Sequence, residues 1–318
     1  MVYVSNSGDN TVSVIDTGNN HVVHTVNVGS GPFGVAVNPA GSRAYVTNLF
    51  DGTVSVIDTS VNLVTATVPV GSLPWGIAVN PTGTRAYVSN DFSNSVSVID
   101  IDTSSLTVNT VIATVPVEGG PYGLAVDGLR KRVFVTDASG AAVSVVDADD
   151  TSPSVNTVIA SIPVGSGPRG VAVNPVAPRL YMTNNGGASV SVIDVDPASA
   201  NVNTVIATVL VGAQPFGIDV NPAGTRAYVA NNADGTLSII DVDVTSPTVN
   251  TVIATPTVAS GLVGVSVDAS GQRVYVASFD GGAVAVLDAS GNPVTSVPVG
   301  KKPAAFGRFI GPLLGGSG

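Results

Sequence analysis

Two charged residues interrupt a repeated pattern in this 318-residue chain, and the search for chemistry starts with them. Arg169 occupies the variable position of a Pro-X-Gly turn that elsewhere holds Phe33, Trp75, Tyr122 or Phe216, with Val263 and Ala304 in degenerate copies. Asp219 replaces the small residue found at Ala36, Ala78, Ala125, Ala172 and Ser266. A carboxylate within an apolar run needs a partner. The two are therefore expected to pair, and they are the best polar candidates for a ligand or catalytic site. Other catalytic equipment is sparse. His21 and His24 are the only histidines and share one strand-like run, Glu118 is the only glutamate, and the chain has no cysteine. No Ser/His/Asp set, His-rich ligand set or isolated carboxylate pair stands out, so no catalytic residue is assigned.

Aromatic residues are a stronger signal for binding. Phe33, Trp75, Tyr122 and Phe216, together with Phe50, Phe92 and Phe279, fall in two sets of turns predicted to open on one face. With Arg169 and Asp219 they are the candidate ligand-binding rim, with rings placed to stack on a sugar, base or peptide side chain. Asn48, Asn90, Asn184, Asn231 and Asp137 are expected to edge that face and offer hydrogen bonds. The competing reading is that the rings plug a channel. On the opposite face, four insertions begin Asp-X-Asp: Asp100 and Asp102, Asp147 and Asp149, Asp194 and Asp196, Asp241 and Asp243. These are weak calcium candidates, because they lack the bidentate Glu and fixed spacing of an EF-hand loop. Turn formation by Asp side chains is the simpler expectation, and no other metal or cofactor is expected.

The elements that must carry these residues follow from a repeat. Tyr3, Tyr45, Tyr87, Phe134, Tyr181, Tyr228 and Tyr275 recur at spacings of 42, 42, 47, 47, 47 and 47 residues. Each copy holds four short runs rich in Val, Ile and Thr with period-two alternation, separated by Gly, Pro, Asn and Asp. Four strands per copy and seven copies predict an all-β, seven-bladed β-propeller of four-stranded antiparallel blades. One domain is expected over residues 1–312, with 313–318 a flexible tail or linker scar. The chain starts at the second strand of a blade, so a C-terminal innermost strand near 305–310 is predicted to pair with the N-terminal strands and latch the ring. Its register is open: either Phe306-Gly307 matches Phe33-Gly34 with a shift, or Ala304 matches Phe33 without one. Asp16, Asp58, Asp100, Asp147, Asp194, Asp241 and Asp288 end the third strands, and an Arg begins most second strands. Such pairs, for instance Arg43 with Asp58, are expected to be structural.

The motif Tyr45-Val46-Thr47-Asn48, with variants Tyr87-Val88-Ser89-Asn90 and Tyr228-Val229-Ala230-Asn231, resembles the YVTN-repeat β-propeller family over nearly the whole chain. That resemblance implies an extracytoplasmic protein: secreted, periplasmic or on the cell surface. It also implies a surface-layer or adhesion-associated role. Related seven-bladed propellers include lactonases and lyases, although no catalytic motif of theirs is visible here.

Composition narrows the partners. A net charge of -10 repels a phosphate backbone, so nucleic acid is disfavoured. No run of 18 apolar residues exists to span a membrane. The expected function is a non-catalytic binding module, expected to be monomeric, taking a protein, peptide or saccharide on the aromatic face. The alternatives are a lactonase-like hydrolase or lyase at the channel mouth and a purely structural surface-layer tile. The start in a strand-like run and the Gly-Gly-Ser-Gly end are expected of a trimmed piece of a longer protein.

Overall fold

A computed structural model of the chain describes residues 1–311. Each sequence repeat forms one antiparallel sheet. Six sheets have four strands and the N-terminal sheet has three. In the first complete blade the strands are Pro32–Val37, Arg43–Asn48, Thr53–Asp58 and Leu63–Pro69, running outward from the axis. Among the described residues the sole helical element is a 3-10 turn, Asn185–Gly187, and no helix is long and apolar enough to cross a membrane. The expected tail at 313–318 lies outside the described residues.

Alternation gives each blade two apolar faces, and these stack on the neighbouring blades. Tyr45, Val54, Val56 and Val68 of one blade, for example, form a single core with Ile77, Ala86, Val88 and Ile99 of the next. Burying a side chain of this size stabilises the fold by about 1.5–3 kcal/mol. The blades are therefore not separable domains.

Near the axis the packing becomes backbone against backbone. A Cβ at Gly34, Gly76, Gly123, Gly170, Gly217 or Gly264 would collide with a carbonyl of the adjacent inner strand, such as that of Trp75 or Phe216. Only glycine permits that approach. A hydroxyl then joins the two blades. Gly170 N donates to Thr183 Oγ1 at 2.8 Å, and Thr183 Oγ1 donates to the Phe216 carbonyl at 2.8 Å. Thr47 and Thr136 bridge in the same way, as does Ser89 to the Tyr122 carbonyl. Ser5 Oγ donates to the Phe33 carbonyl at 2.6 Å. The other two blades have Ala230 and Ala277 at this position.

The three-stranded sheet meets the C-terminal segment. Isolated bridges join Asn6 to Pro303 and Val2 to Ile310, antiparallel, while Phe306 lies parallel to Gly34. Where an innermost strand was predicted, the segment is irregular. Pro32–Val37 spans from Asn48 to Ala44, six residues against five, whereas Pro303 to Ile310 spans from Asn6 to Val2, eight against five. Two extra residues therefore have to leave the line of pairing. Pro303 occupies the place of Pro32, which aligns Ala304 with Phe33 at the start of the segment. The excess appears further along, around Phe306, Gly307 and Arg308, whose backbone Val35 N and Val37 N contact at 2.9 and 3.2 Å.

The repeated Asn residues serve the blades and not the surface. Asn48 Nδ2 donates to Thr53 Oγ1 and Ser55 Oγ, and Asn6, Asn90, Asn184 and Asn231 do likewise. All five are fully buried, as is Asp137, so the expectation that Asn48, Asn90, Asn184, Asn231 and Asp137 edge a ligand face is corrected. Asp137 takes this position in one blade and accepts from Ser144 Oγ at 2.7 Å. Of the repeated Arg–Asp pairs, all keep the predicted register, yet contact ion pairs form at Arg85–Asp100, Arg132–Asp147 and Arg179–Asp194. Arg226 instead donates to the Ala289 carbonyl.

Two outcomes are expected. Replacing Thr183 with Val leaves the Gly170 amide and Phe216 carbonyl without a partner, and chemical denaturation should show a loss of about 2–4 kcal/mol, whereas Thr183→Ser keeps the bridge and most of the stability. Burial pushes the Asp137 carboxyl up to about 7, against the Ser144 hydrogen bond and with help from the Glu118 charge. A raised folded pKa favours folding at low pH; that contribution is complete below the ordinary carboxylate pKa of about 4 and is lost by the time the pH has risen through about 7. Asp137→Asn should therefore flatten the fall in melting temperature between about pH 4 and about pH 7.

Candidate functional site

The channel enclosed by the inner strands has two unlike ends. At the end where those strands begin, aromatic rings fill the mouth. Phe33 is only 6% exposed and Phe306 only 5%, while Trp75, Tyr122 and Phe216 around them are half-buried. Phe33 meets Trp75 edge-on at 4.4 Å between centroids, and Phe306 meets Phe216 edge-on at 5.5 Å. Trp75 stacks on Tyr122 at 4.3 Å, and the Arg169 guanidinium carbon lies 3.7 Å from the Tyr122 ring centre. Such pairs are worth about 0.5–1.5 kcal/mol beyond burial. Trp75 Nε1 also donates to Asp91 Oδ2 at 3.3 Å. Phe279 packs at the edge of this group, whereas Phe50 and Phe92 stand exposed on the outer loops.

At the other end the channel opens into a cavity of about 430 Å³. Its walls are aliphatic, including Ile77, Ala78, Leu124, Ala125, Val171 and Ile218, and Asn38, Pro39 and Pro81 lie at its mouth. Asp219 and Arg308 are the two charged residues of its lining. Inner strands place alternate side chains toward the axis, which brings Asp219 of Pro215–Val220 to the wall. Arg308 arrives from the irregular C-terminal segment. Asp219 Oδ1 accepts from Val220 N at 2.9 Å, and its Oδ2 accepts from Val267 N of the next blade at 2.8 Å. Each oxygen keeps a further lone pair. Burial pushes this carboxyl above its ordinary range, opposed by the Arg308 charge and by the two amides.

The predicted Arg169–Asp219 pair is not formed. Arg169 is the second residue of its inner strand and Asp219 the fifth of its own, so they differ by about 10 Å in height at ~3.3 Å per residue. Arg169 sits with the aromatic rings, and Asp219 faces Arg308, a residue for which sequence reasoning had no role. The only signal for Arg308 was the surplus length of the last repeat.

The remaining candidates lie outside the channel. Asp100 Oδ2 accepts from Ser105 Oγ at 2.5 Å and Thr107 Oγ1 at 2.6 Å, while its Oδ1 accepts from Asp102 N at 3.1 Å and Arg85. Asp147, Asp194 and Asp241 are held by equivalent hydroxyls and amides. Asp102, Asp149, Asp196 and Asp243 each cap an amide two residues ahead. These loops close on themselves through Asp-centred turns, and among the described residues no three metal-ligating side chains converge. His21 and His24 are exposed on the outermost strand His21–Asn27.

Comparison with known proteins bears on the function. The family model described as "Lactonase, 7-bladed beta-propeller" matches residues 1–175 and 180–304. No curated protein matches the chain. A chain of Kuenenia stuttgartiensis hydrazine synthase is 20% identical, with a TM-score of 0.77 over 91% of this chain and 92% of its own. A structure from Bacteroides uniformis, described as a putative 6-phosphogluconolactonase, is 14% identical, with a TM-score of 0.81 over 95% and 97%. One from Bacteroides fragilis with the same description is 16% identical, with a TM-score of 0.79 over 96% of each chain. At these identities the solved structures carry the fold alone. The family match overturns the expectation of a non-catalytic binding module, and it points away from the surface-layer role that the repeat motif implied. The chain belongs to the seven-bladed β-propeller lactonase family.

Proposed function

We propose that the protein hydrolyses a lactone in the open cavity of its channel, using Asp219 as the general base and Arg308 as the electrostatic partner of the oxyanion. The observation that carries this reading is the presence of one carboxylate and one guanidinium on an otherwise aliphatic wall, in a chain of a lactonase family. Lactone hydrolysis needs a proton acceptor for the attacking water and positive charge where the carbonyl oxygen becomes negative. Asp219 and Arg308 are the residues of the lining that supply these.

The roles follow from the hydrogen bonds. Amides on neighbouring inner strands fix the Asp219 carboxylate, so its orientation is set before substrate enters. Beyond these two bonds each oxygen keeps a lone pair that can accept from an attacking water. The raised pKa makes Asp219 a stronger base than an ordinary carboxylate, provided the pH lies above that pKa. The low polarity of the wall strengthens the attraction between Arg308 and a developing oxyanion. The wall also replaces solvent around the ester with hydrocarbon.

Asp219→Asn keeps a carbonyl-type acceptor for one of the amides but cannot take a proton. It should lower kcat/KM for lactone hydrolysis by about 10²–10⁴-fold. In the unmodified protein, activity should rise with pH through a pKa above the usual carboxylate range. If the variant melts lower yet turns over lactone at the original rate, Asp219 is a structural bridge between blades and the proposed role is wrong.

A further inference from the structure

We infer that the lactone this channel accepts is an uncharged one bearing a hydrocarbon chain, and that phosphorylated sugar lactones are excluded. The inference rests on the channel being the reaction site, as proposed above. It departs from the description of the two Bacteroides proteins, whose fold this chain shares.

The first argument is charge. Binding a phosphate dianion takes several donors, commonly paired Arg or Lys side chains or clustered backbone amides. The cavity offers Arg308 alone, and Asp219 stands on the same wall. Lys302 lies near the Phe279 ring, Lys301 near Asp9, and Arg169 over Tyr122, none of them in this lining. A net charge of -10 over the whole chain adds a long-range repulsion.

The second argument is the wall itself. Sugar hydroxyls taken from water must find hydrogen-bond partners or lose affinity. Apart from Asp219, the lining side chains along the inner strands are Ala, Val, Ile and Leu, with Asn38 at the mouth. Ala78 and Ala125, on adjacent blades, are half-buried and leave room between them. A hydrocarbon substituent loses nothing there and gains from leaving water.

The reaction balances without a further reactant. Water adds to the acyl carbon as its proton passes to Asp219. The bond from that carbon to the ring oxygen then breaks, and the ring oxygen takes the proton from Asp219. The product is a hydroxy acid. Its carboxyl group gives its remaining proton to solvent, and like-charge repulsion between the resulting carboxylate and Asp219 favours release.

The test compares δ-nonalactone, glucono-δ-lactone and 6-phosphoglucono-δ-lactone on the full chain, with each rate corrected for uncatalysed hydrolysis. The expected result is a kcat/KM for δ-nonalactone at least 100-fold above that for the phosphorylated sugar lactone. Ala125→Leu, checked by thermal melting, should reduce the preference for δ-nonalactone over unsubstituted δ-valerolactone by at least tenfold. Preferential hydrolysis of either sugar lactone overturns this inference and leaves lactone hydrolysis standing. No turnover of any of the lactones overturns the reading of the channel as a hydrolytic site, and this inference with it.

Discussion

The structure depends on how closely adjacent inner strands approach at the axis. At six positions a glycine faces a neighbouring backbone carbonyl at a separation that no side chain allows. The gain is geometric. Seven blades can converge on a narrow channel only if their backbones, and not their side chains, meet there. The Ser or Thr hydroxyl beside each of four such glycines accepts from its amide and donates to the next blade's carbonyl, so two groups buried by the approach are both satisfied. Aliphatic stacking further out supplies most of the burial, and the axial contacts determine where the inner strands stand.

Those contacts give the channel its character. The residue before each glycine points into one mouth, and in most blades it is aromatic, so that mouth fills with Phe33, Trp75, Tyr122, Phe216 and the added ring of Phe306. Further along, the inward positions are small or aliphatic and the space stays open. One substitution in the repeat, Asp219, and one irregularity of the C-terminal segment, Arg308, then place opposite charges on that wall. The scaffold confers a shaped, largely aliphatic chamber, and departures from the repeat confer its charge.

Much of this was legible in the sequence, for reasons that are local. Alternation, the Tyr spacing and the Gly, Pro and Asn turns depend on neighbours within a few residues, so blade number and strand order followed directly. The glycine of Pro-X-Gly was readable as a site of close backbone approach. The hydroxyl bridge was not, because Thr47 and Thr183 look like ordinary strand formers. The clue was a hydroxyl in five of the seven copies, at Ser5, Thr47, Ser89, Thr136 and Thr183. Pairing Arg169 with Asp219 failed because adjacency in the ring was considered without height along the axis. Arg308 stayed hidden because its place depends on where the last segment discards its two extra residues, and tertiary pairing decides that. Phe33, Trp75, Tyr122 and Phe216 meet at one end of the channel, and the mutual packing of these rings from different blades could not be read from any one repeat.

The central claim is that substrate occupies the open cavity and not the aromatic mouth. The most direct measurement is a crystal structure of the Asp219→Asn variant soaked with δ-nonalactone. The account predicts ligand density between residue 219 and the Arg308 guanidinium, with the lactone carbonyl toward Arg308 and the ring cluster undisturbed. Density among Phe33, Trp75 and Tyr122 with the cavity empty would contradict it, and would move the site to the face that the rings now close.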